Sequence, residues 1–154
     1  MSTICETTLR VRYAESDQMG VVYHANYLAW FEVGRVELLR QLGFSYLEME
    51  AEGMHTPVVE VQCRYKHPAR FDDLITIRTR LAQMRTSLLR FQYEIVRTAD
   101  GRVLAEGVSV HVVVGTDLKR THLTEKYRQA LRAAAEASEP AAAPCATPPD
   151  TTQS

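Results

Sequence analysis

Residues 10–27 place an acid, a glycine and a histidine just ahead of a segment with helical periodicity. Asp17 precedes Gly20 by three residues, and His24-Ala25-Asn26 stands where the helical pattern begins. A loop carboxylate can attack an electrophilic carbonyl or activate a water molecule. The free N–H groups at a helix start can hold the oxyanion that such an attack produces. The stretch therefore predicts an active site that works on a carbonyl group.

Each of these residues also has a purely structural explanation. Asp17 would then be a solvated or capping loop acid, Asn26 an N-cap and His24 a loop histidine. In the functional interpretation, Gly20 lets the backbone approach a ligand closely. The N–H groups of residues 23–27, beginning with Tyr23, would polarise the carbonyl. The His24 imidazole would position water, carry a proton or hydrogen-bond the carboxylate.

The apolar pattern predicts the elements that position this stretch. Apolar side chains at helical spacing predict a helix from about Asn26 to Leu42, and Gly43 fits its C-cap. Gly34 inside this helix costs about 1 kcal/mol relative to alanine, which indicates close backbone packing as compensation. A short helix is predicted at 45–52. Strands are predicted at 4–12 and, from period-two alternation, at 58–66, 74–81, 88–96 and 103–114.

Short connections determine how these strands are expected to pair. Asp100-Gly101 indicates a hairpin, and residues 68–73 hold turn-forming residues. Because such connections cannot hold crossover helices, the last four strands are predicted to form a meander. A final helix is predicted from Thr124 to about Ala137. The result is an α+β layer in which a curved antiparallel sheet of about five strands wraps around a long central helix.

Composition bounds the function further. The 154 residues suit one domain, predicted at 1–137, with an Ala/Pro-rich tail at 138–154 predicted to be disordered. The near balance of 18 Lys and Arg against 19 Asp and Glu gives no basic field for nucleic acid. We expect no membrane span and no signal peptide. Three scattered cysteines and five histidines without ligand spacing predict a reducing cytoplasm, no disulfide framework and no metal site.

Arg85-Thr86-Ser87, between two predicted strands, is a candidate for gripping phosphate groups. Arginine and hydroxyl groups at a turn suit an anionic nucleotide, although exposed hairpins often carry the same residues.

Four short runs, with their spacing, resemble the signature of the 4-hydroxybenzoyl-CoA thioesterase family of hotdog-fold enzymes. They are Arg10-Val11, Ser16-Asp17, Gly20-Val21-Val22 and Ala25-Asn26-Tyr27. The similarity continues through Trp30-Phe31-Glu32 and Thr56-Pro57-Val58 to about Tyr127. Serine at position 16, where threonine or cysteine is usual, keeps the hydroxyl.

The resemblance implies a hotdog fold and hydrolysis of an acyl-CoA, or of an acyl-carrier-protein thioester, without a further cofactor. It makes Asp17 the catalytic carboxylate and gives the N–H of His24 a part in binding the thioester oxygen. Histidine at this position is frequent in bacterial short- and medium-chain acyl-CoA thioesterases. The resemblance also implies that Arg85, Thr86 and Ser87 bind coenzyme A. Subunits are expected to pair as homodimers or homotetramers that share sites.

Two other functions stay open at this point. A hydroxyacyl-thioester dehydratase of the same fold would use a histidine-led, proline-containing motif, for which His55-Thr56-Pro57 is a partial match. A non-enzymatic acyl-CoA-binding module would keep the grip on coenzyme A and lack the acid, so the presence of Asp17 argues against it.

Overall fold

The computed structural model describes residues 4–137, in which a five-stranded antiparallel sheet curves around one long helix. The elements in chain order are β1 (Cys5–Arg10), α1 (Asn26–Gln41), α2 (Tyr46–Ala51), β2 (Val58–Tyr65), β3 (Leu74–Arg85), β4 (Leu88–Arg97), β5 (Val103–Val112) and α3 (Glu125–Ala137). The predicted architecture is confirmed. The predicted tail, 138–154, lies outside the described residues. Within the described range, no helix is both long enough and apolar enough to cross a membrane.

The strand order is β1-β3-β4-β5-β2, so the predicted four-strand meander is only partly right. Strands β3, β4 and β5 do follow one another, but β2 pairs with β5 at the opposite edge from β1. Residues 66–73 make the crossing, and no helix lies within them. Extended, they can span roughly 26 Å, whereas three strand spacings need only about 14 Å. The shortness of this connection therefore excluded a helix but did not require adjacent strands.

The two ends of α1 are formed by local interactions at the predicted places. The helix begins at Asn26 and buries Tyr27, Trp30 and Phe31 against the sheet. At its C-terminus, Gly43 has φ +95° and donates its N–H to the carbonyl of Arg40 at 3.1 Å. The N–H of Phe44 donates to the carbonyl of Leu39 at 3.2 Å. These two bonds form a Schellman motif, which confirms the predicted helix end.

Two glycines allow α1 and the sheet to approach each other closely. A Cβ at Gly34 would lie 2.2 Å from Thr79 Oγ1 and 2.8 Å from a methyl carbon of Ile77. A Cβ at Gly107 of β5 would lie 2.4 Å from ring carbons of Phe31. The predicted close packing at Gly34 is thus confirmed, and the spacing between helix and sheet depends on both positions.

A buried chain of hydrogen bonds links α1 to the sheet. Arg35 Nη1 donates to Tyr93 Oη at 3.2 Å, and Tyr93 Oη lies 2.5 Å from Ser109 Oγ. Ser109 Oγ lies 2.8 Å from His111 Nε2, and His111 Nδ1 lies 2.9 Å from the carbonyl oxygen of Thr56. Because a carbonyl can only accept, His111 Nδ1 carries a proton and donates it to Thr56. Burial lowers the pKa of the ring and keeps it neutral near pH 7, so Nε2 accepts from Ser109 and Ser109 accepts from Tyr93.

We expect the stability of the fold to fall as the pH drops below neutrality because of His111. Burial lowers the pKa of His111 from 6.5 to about 4; the bond to Thr56 opposes this shift and the charge of Arg35 adds to it. Between these two pH values the unfolded chain binds a proton that the folded chain does not. The contribution is full above pH 6.5 and decreases towards pH 4, by about 3 kcal/mol in total.

Urea unfolding between pH 7 and pH 4 measures this effect. The variant His111→Gln should show a flatter pH dependence of unfolding free energy, whereas His122→Gln, at an exposed histidine, should keep the slope of the parent. Equal slopes for the parent and His111→Gln would contradict the assignment.

Candidate active site

The loop that carries Asp17 is a closed turn. Asp17 N–H donates to the carbonyl of Val21 at 2.9 Å, and Gly20 N–H donates to the carbonyl of Asp17 at 3.0 Å. Met19 N–H donates to Asp17 Oδ1 at 2.8 Å. Gly20 has φ +75°, which glycine adopts without strain. Asp17 is half-buried, and within residues 4–137 its Oδ2 has no hydrogen-bond partner, so one carboxylate oxygen remains for a substrate or a water molecule.

Two N–H groups remain available where α1 begins. Tyr23 N–H donates to the carbonyl of Glu15 at 2.9 Å, and Asn26 N–H donates to that of Tyr23 at 3.0 Å. Tyr27 N–H donates to the carbonyl of His24 at 3.3 Å. In the described part of the chain, no acceptor is recorded for the N–H groups of His24 and Ala25. The expected donor set from Tyr23 to Tyr27 is therefore reduced to these two, which lie at the positive end of the helix dipole.

The expected role of Asn26 as N-cap is wrong. Ala25 is the N-cap and already has helical angles, φ −66° and ψ −24°. A capping side chain needs extended backbone angles at its own residue to reach back to the first turn. Asn26 is instead the first helical residue, and its Nδ2 donates to the carbonyl of Glu15 at 2.8 Å.

An aromatic cluster borders the free N–H groups. Tyr65, at the end of β2, donates its hydroxyl to the carbonyl of His24 at 2.9 Å. The exposed His24 ring lies 4.5 Å from the Tyr23 ring and 6.3 Å from the Tyr65 ring, between centroids. Tyr65 also packs edge-on against Tyr27 at 5.1 Å. Tyr65 was not predicted, because it is distant in sequence from His24 and only the sheet brings the two together.

Glu15 is a second residue that the sequence did not reveal. Its side chain is buried, with 6% exposure, although an acid in a polar loop is ordinarily solvated. Its Oε2 accepts the indole N–H of Trp30 at 2.8 Å, and its Oε1 accepts the N–H of Arg12 at 2.8 Å. No local pattern indicates this, because the main partner lies one helical turn inside α1.

The predicted phosphate-binding residues lie far from Asp17 within one chain. Arg85 ends β3, and Thr86 and Ser87 form the turn to β4, whereas the start of β3 pairs with Arg10 beside the Asp17 loop. The intervening strand has 12 residues, which corresponds to roughly 36 Å. The two groups therefore lie at opposite ends of the sheet.

The fold and the site together define a class of protein. A curved antiparallel sheet around a buried helix is the hotdog architecture, and a loop carboxylate beside free N–H groups suits chemistry at a thioester carbonyl. The chain belongs to the thioesterase-like superfamily, whose family model matches residues 11–152. The expectation of a hotdog-fold thioesterase is confirmed.

Curated relatives and solved structures agree with this assignment. The chain is 39% identical over 111 residues to a putative acyl-CoA thioesterase, YneP of Bacillus subtilis, covering 72% of this chain and 80% of the relative. It is 37% identical over 113 residues to the acyl-CoA thioester hydrolase YbgC of Escherichia coli, covering 73% and 84%. The structure matches the DHNA-CoA thioesterase of Staphylococcus aureus with a TM-score of 0.81 and 30% identity, covering 84% of this chain and 89% of that one.

Proposed function

We propose that the protein hydrolyses an acyl-CoA thioester to a carboxylic acid and free coenzyme A. The observation that carries the proposal is the Asp17 carboxylate, with one oxygen available, in the loop that leads to the free N–H groups of His24 and Ala25. Water adds its oxygen to the carbonyl carbon, the C–S bond breaks, and the departing thiolate takes up a proton. The names of the relatives YneP and YbgC support the same reaction.

The available N–H groups act on the oxyanion that forms in this reaction. Donors aimed at a developing oxyanion typically contribute about 2.7–4 kcal/mol each to lowering the barrier. Asp17 either takes the proton of the attacking water or attacks the carbonyl itself to form a mixed anhydride that water then hydrolyses. We assign the N–H of His24 to the oxyanion and its exposed ring to an assisting role. The proposal needs no cofactor besides the coenzyme A of the substrate.

Release of free thiol from a panel of aliphatic and aromatic acyl-CoAs and an acyl-carrier-protein thioester tests this function. We expect turnover of at least one acyl-CoA. Thiol release from the acyl-carrier-protein thioester would show that this thioester is also a substrate. Binding without thiol release would favour the acyl-CoA-binding module. Hydration or dehydration of a hydroxyacyl thioester would favour the dehydratase. Against the dehydratase, His55 pairs with Val114 beyond the end of β5, at the opposite end of the sheet from Asp17.

We further propose that two chains pair through β2. The outer edge of this strand carries no partner within residues 4–137, and its apolar residues Val59, Val61 and Tyr65 are 58%, 42% and 48% exposed. An apolar edge strand left open on both faces is a pairing surface. Antiparallel pairing would set the far end of one sheet beside Tyr65 of the other. Arg85, Thr86 and Ser87 of one subunit would then approach the other's site, as a homodimer or as a pair of dimers.

The variant Val61→Lys should therefore be monomeric and lose most of its thioesterase activity. Lysine at a sheet edge disfavours strand pairing through charge repulsion. Light scattering coupled to gel filtration measures the mass, and Leu47→Lys, at an exposed residue of α2, is the matched control. A parent protein that elutes as an active monomer would contradict shared sites.

We also place the protein in the cytoplasm. In the described part of the chain, Cys5 and Cys63 are free thiols, and burial raises the pKa of both. Protonated, unpaired thiols suit a reducing compartment.

A further inference from the structure

We infer that Glu15 is a positioning residue that sets the placement of the Asp17 carboxylate relative to the free N–H groups of α1. The inference rests on the proposed thioesterase function. Glu15 stands two residues before Asp17, at the end of a short 3-10 helix over Tyr13–Glu15, and is one of the few charged side chains buried in the described residues.

The side chain of Glu15 joins the loop to the body of α1. Its Oε2 accepts the Trp30 indole N–H at 2.8 Å, and Trp30 is itself buried at 2% exposure. Its Oε1 accepts both the main-chain N–H and the Nε–H of Arg12, at 2.8 Å and 3.3 Å. The two oxygens therefore accept three hydrogen bonds and donate none. Only a carboxylate can accept on both oxygens without presenting a hydrogen to these donors.

The main chain of Glu15 joins the same loop to the first turn of α1. Its carbonyl accepts the N–H of Tyr23 at 2.9 Å and Asn26 Nδ2 at 2.8 Å. Asn26 and Trp30 are four residues apart, so both bonds fall on one face of the helix. Glu15 thus holds the helix at two successive turns.

The consequence is geometric. Ser16 and Val22 form a bridge inside the loop, which connects the two ends of the stretch from 16 to 22 next to Glu15 and Tyr23. The bond to Tyr23 also removes that N–H from the possible oxyanion donors and leaves those of His24 and Ala25. A shift of Glu15 would therefore change the separation between the reacting carboxylate and the oxyanion donors, and a misplacement near 1 Å can cost about 100-fold in rate.

Three variants test this role by separating catalysis from folding. Glu15→Gln keeps the shape but presents an amide N–H₂ to a donor, and Trp30→Phe removes only the indole donor. The third is the double variant. Each single change should lower kcat on the best acyl-CoA by about 10- to 100-fold, with KM within about threefold of the parent value. Both changes remove the same hydrogen bond, the one between Trp30 and Glu15. The kcat of the double variant should therefore be no more than about twofold below that of the less active single variant.

The matched control is Glu6→Gln, which neutralises an exposed glutamate paired with Arg78 on the outer face of the sheet. It should keep the parent kcat. Activities are measured well below each variant's Tm, so a purely structural role would lower Tm and leave the kcat of folded enzyme unchanged. If Glu15→Gln does not fold, Trp30→Phe and Glu15→Asp test the positioning role in its place. Each of them should show the loss in kcat.

The failures are distinguishable. Parent-like kcat in Glu15→Gln, or in Trp30→Phe, with an inactive Asp17→Asn would overturn the positioning role and leave the thioesterase function standing. Independent, multiplying losses in the double variant would also contradict it. A parent that releases no thiol from any acyl-CoA would instead remove the proposed function.

Discussion

Asp17→Asn is expected to lower kcat for acyl-CoA hydrolysis by about 10²- to 10⁴-fold, the usual contribution of a positioned acid or base. Asparagine cannot accept the proton of an attacking water and cannot form an anhydride, so either form of the mechanism loses its reacting group. The fold should survive, because Oδ1 of asparagine can still accept the N–H of Met19 that closes the turn. Thiol release gives kcat, and circular dichroism and Tm report the fold.

A second aspartate in a turn, Asp117, provides a matched control. Asp117 makes the same local contact, accepting the N–H of Lys119 at 3.0 Å in an exposed turn. Asp117→Asn should therefore keep full activity and stability. If Asp17→Asn hydrolyses acyl-CoA as fast as the parent does, Asp17 is not the catalytic carboxylate, whatever the fate of the control.

Gly34→Ala is expected to destabilise the fold by about 1–3 kcal/mol, the usual effect of overpacking a core. At an exposed helix position the same change would stabilise by roughly 1 kcal/mol. The sign reverses here because the added carbon would meet Thr79 Oγ1 at 2.2 Å and a methyl of Ile77 at 2.8 Å. Both are short, β-branched side chains on a buried strand and cannot rotate away easily. Urea unfolding measures the change in free energy.

A second substitution separates the clash from helix propensity. Thr79→Ala removes the nearest atom of the clash, so Gly34→Ala should cost less in that background than in the parent. The contact with Ile77 remains, so the rescue should be partial. An increase in unfolding free energy for Gly34→Ala in the parent would show that helix and sheet are less closely packed than the structure has them.

Much of the candidate site could be predicted because its parts are neighbours in sequence. Asp17, Gly20 and His24 lie within one short stretch, and the Asp17 turn is built from bonds between residues at most four apart. The N-cap expectation at Asn26 failed because a competing partner, the carbonyl of Glu15, is available to its side chain in the folded chain. Helix propensities do not include such a competitor.

The residues that were missed depend on distant partners. Glu15 is buried only because α1 brings Trp30 over it, and Tyr65 meets His24 only because β2 lies beside β5. The position of β2 was itself mispredicted, since a short connection limits what it can contain but not which strand comes next. Thr86 and Ser87 were correctly placed at a turn and Arg85 ends the strand before it, yet the sheet holds all three far from Asp17 within one chain.

The sequence by itself determined the α+β architecture, the bounds of α1 and the loop that carries Asp17, because hydrophobic period, glycine caps and turns act over a few residues. Only the tertiary structure decided the strand order, the two N–H groups left available and the burial of Glu15. These depend on which hydrogen bonds the packed chain has already satisfied. A backbone group is free or occupied according to its neighbours in space, and those neighbours exist only once the sheet has closed around the helix.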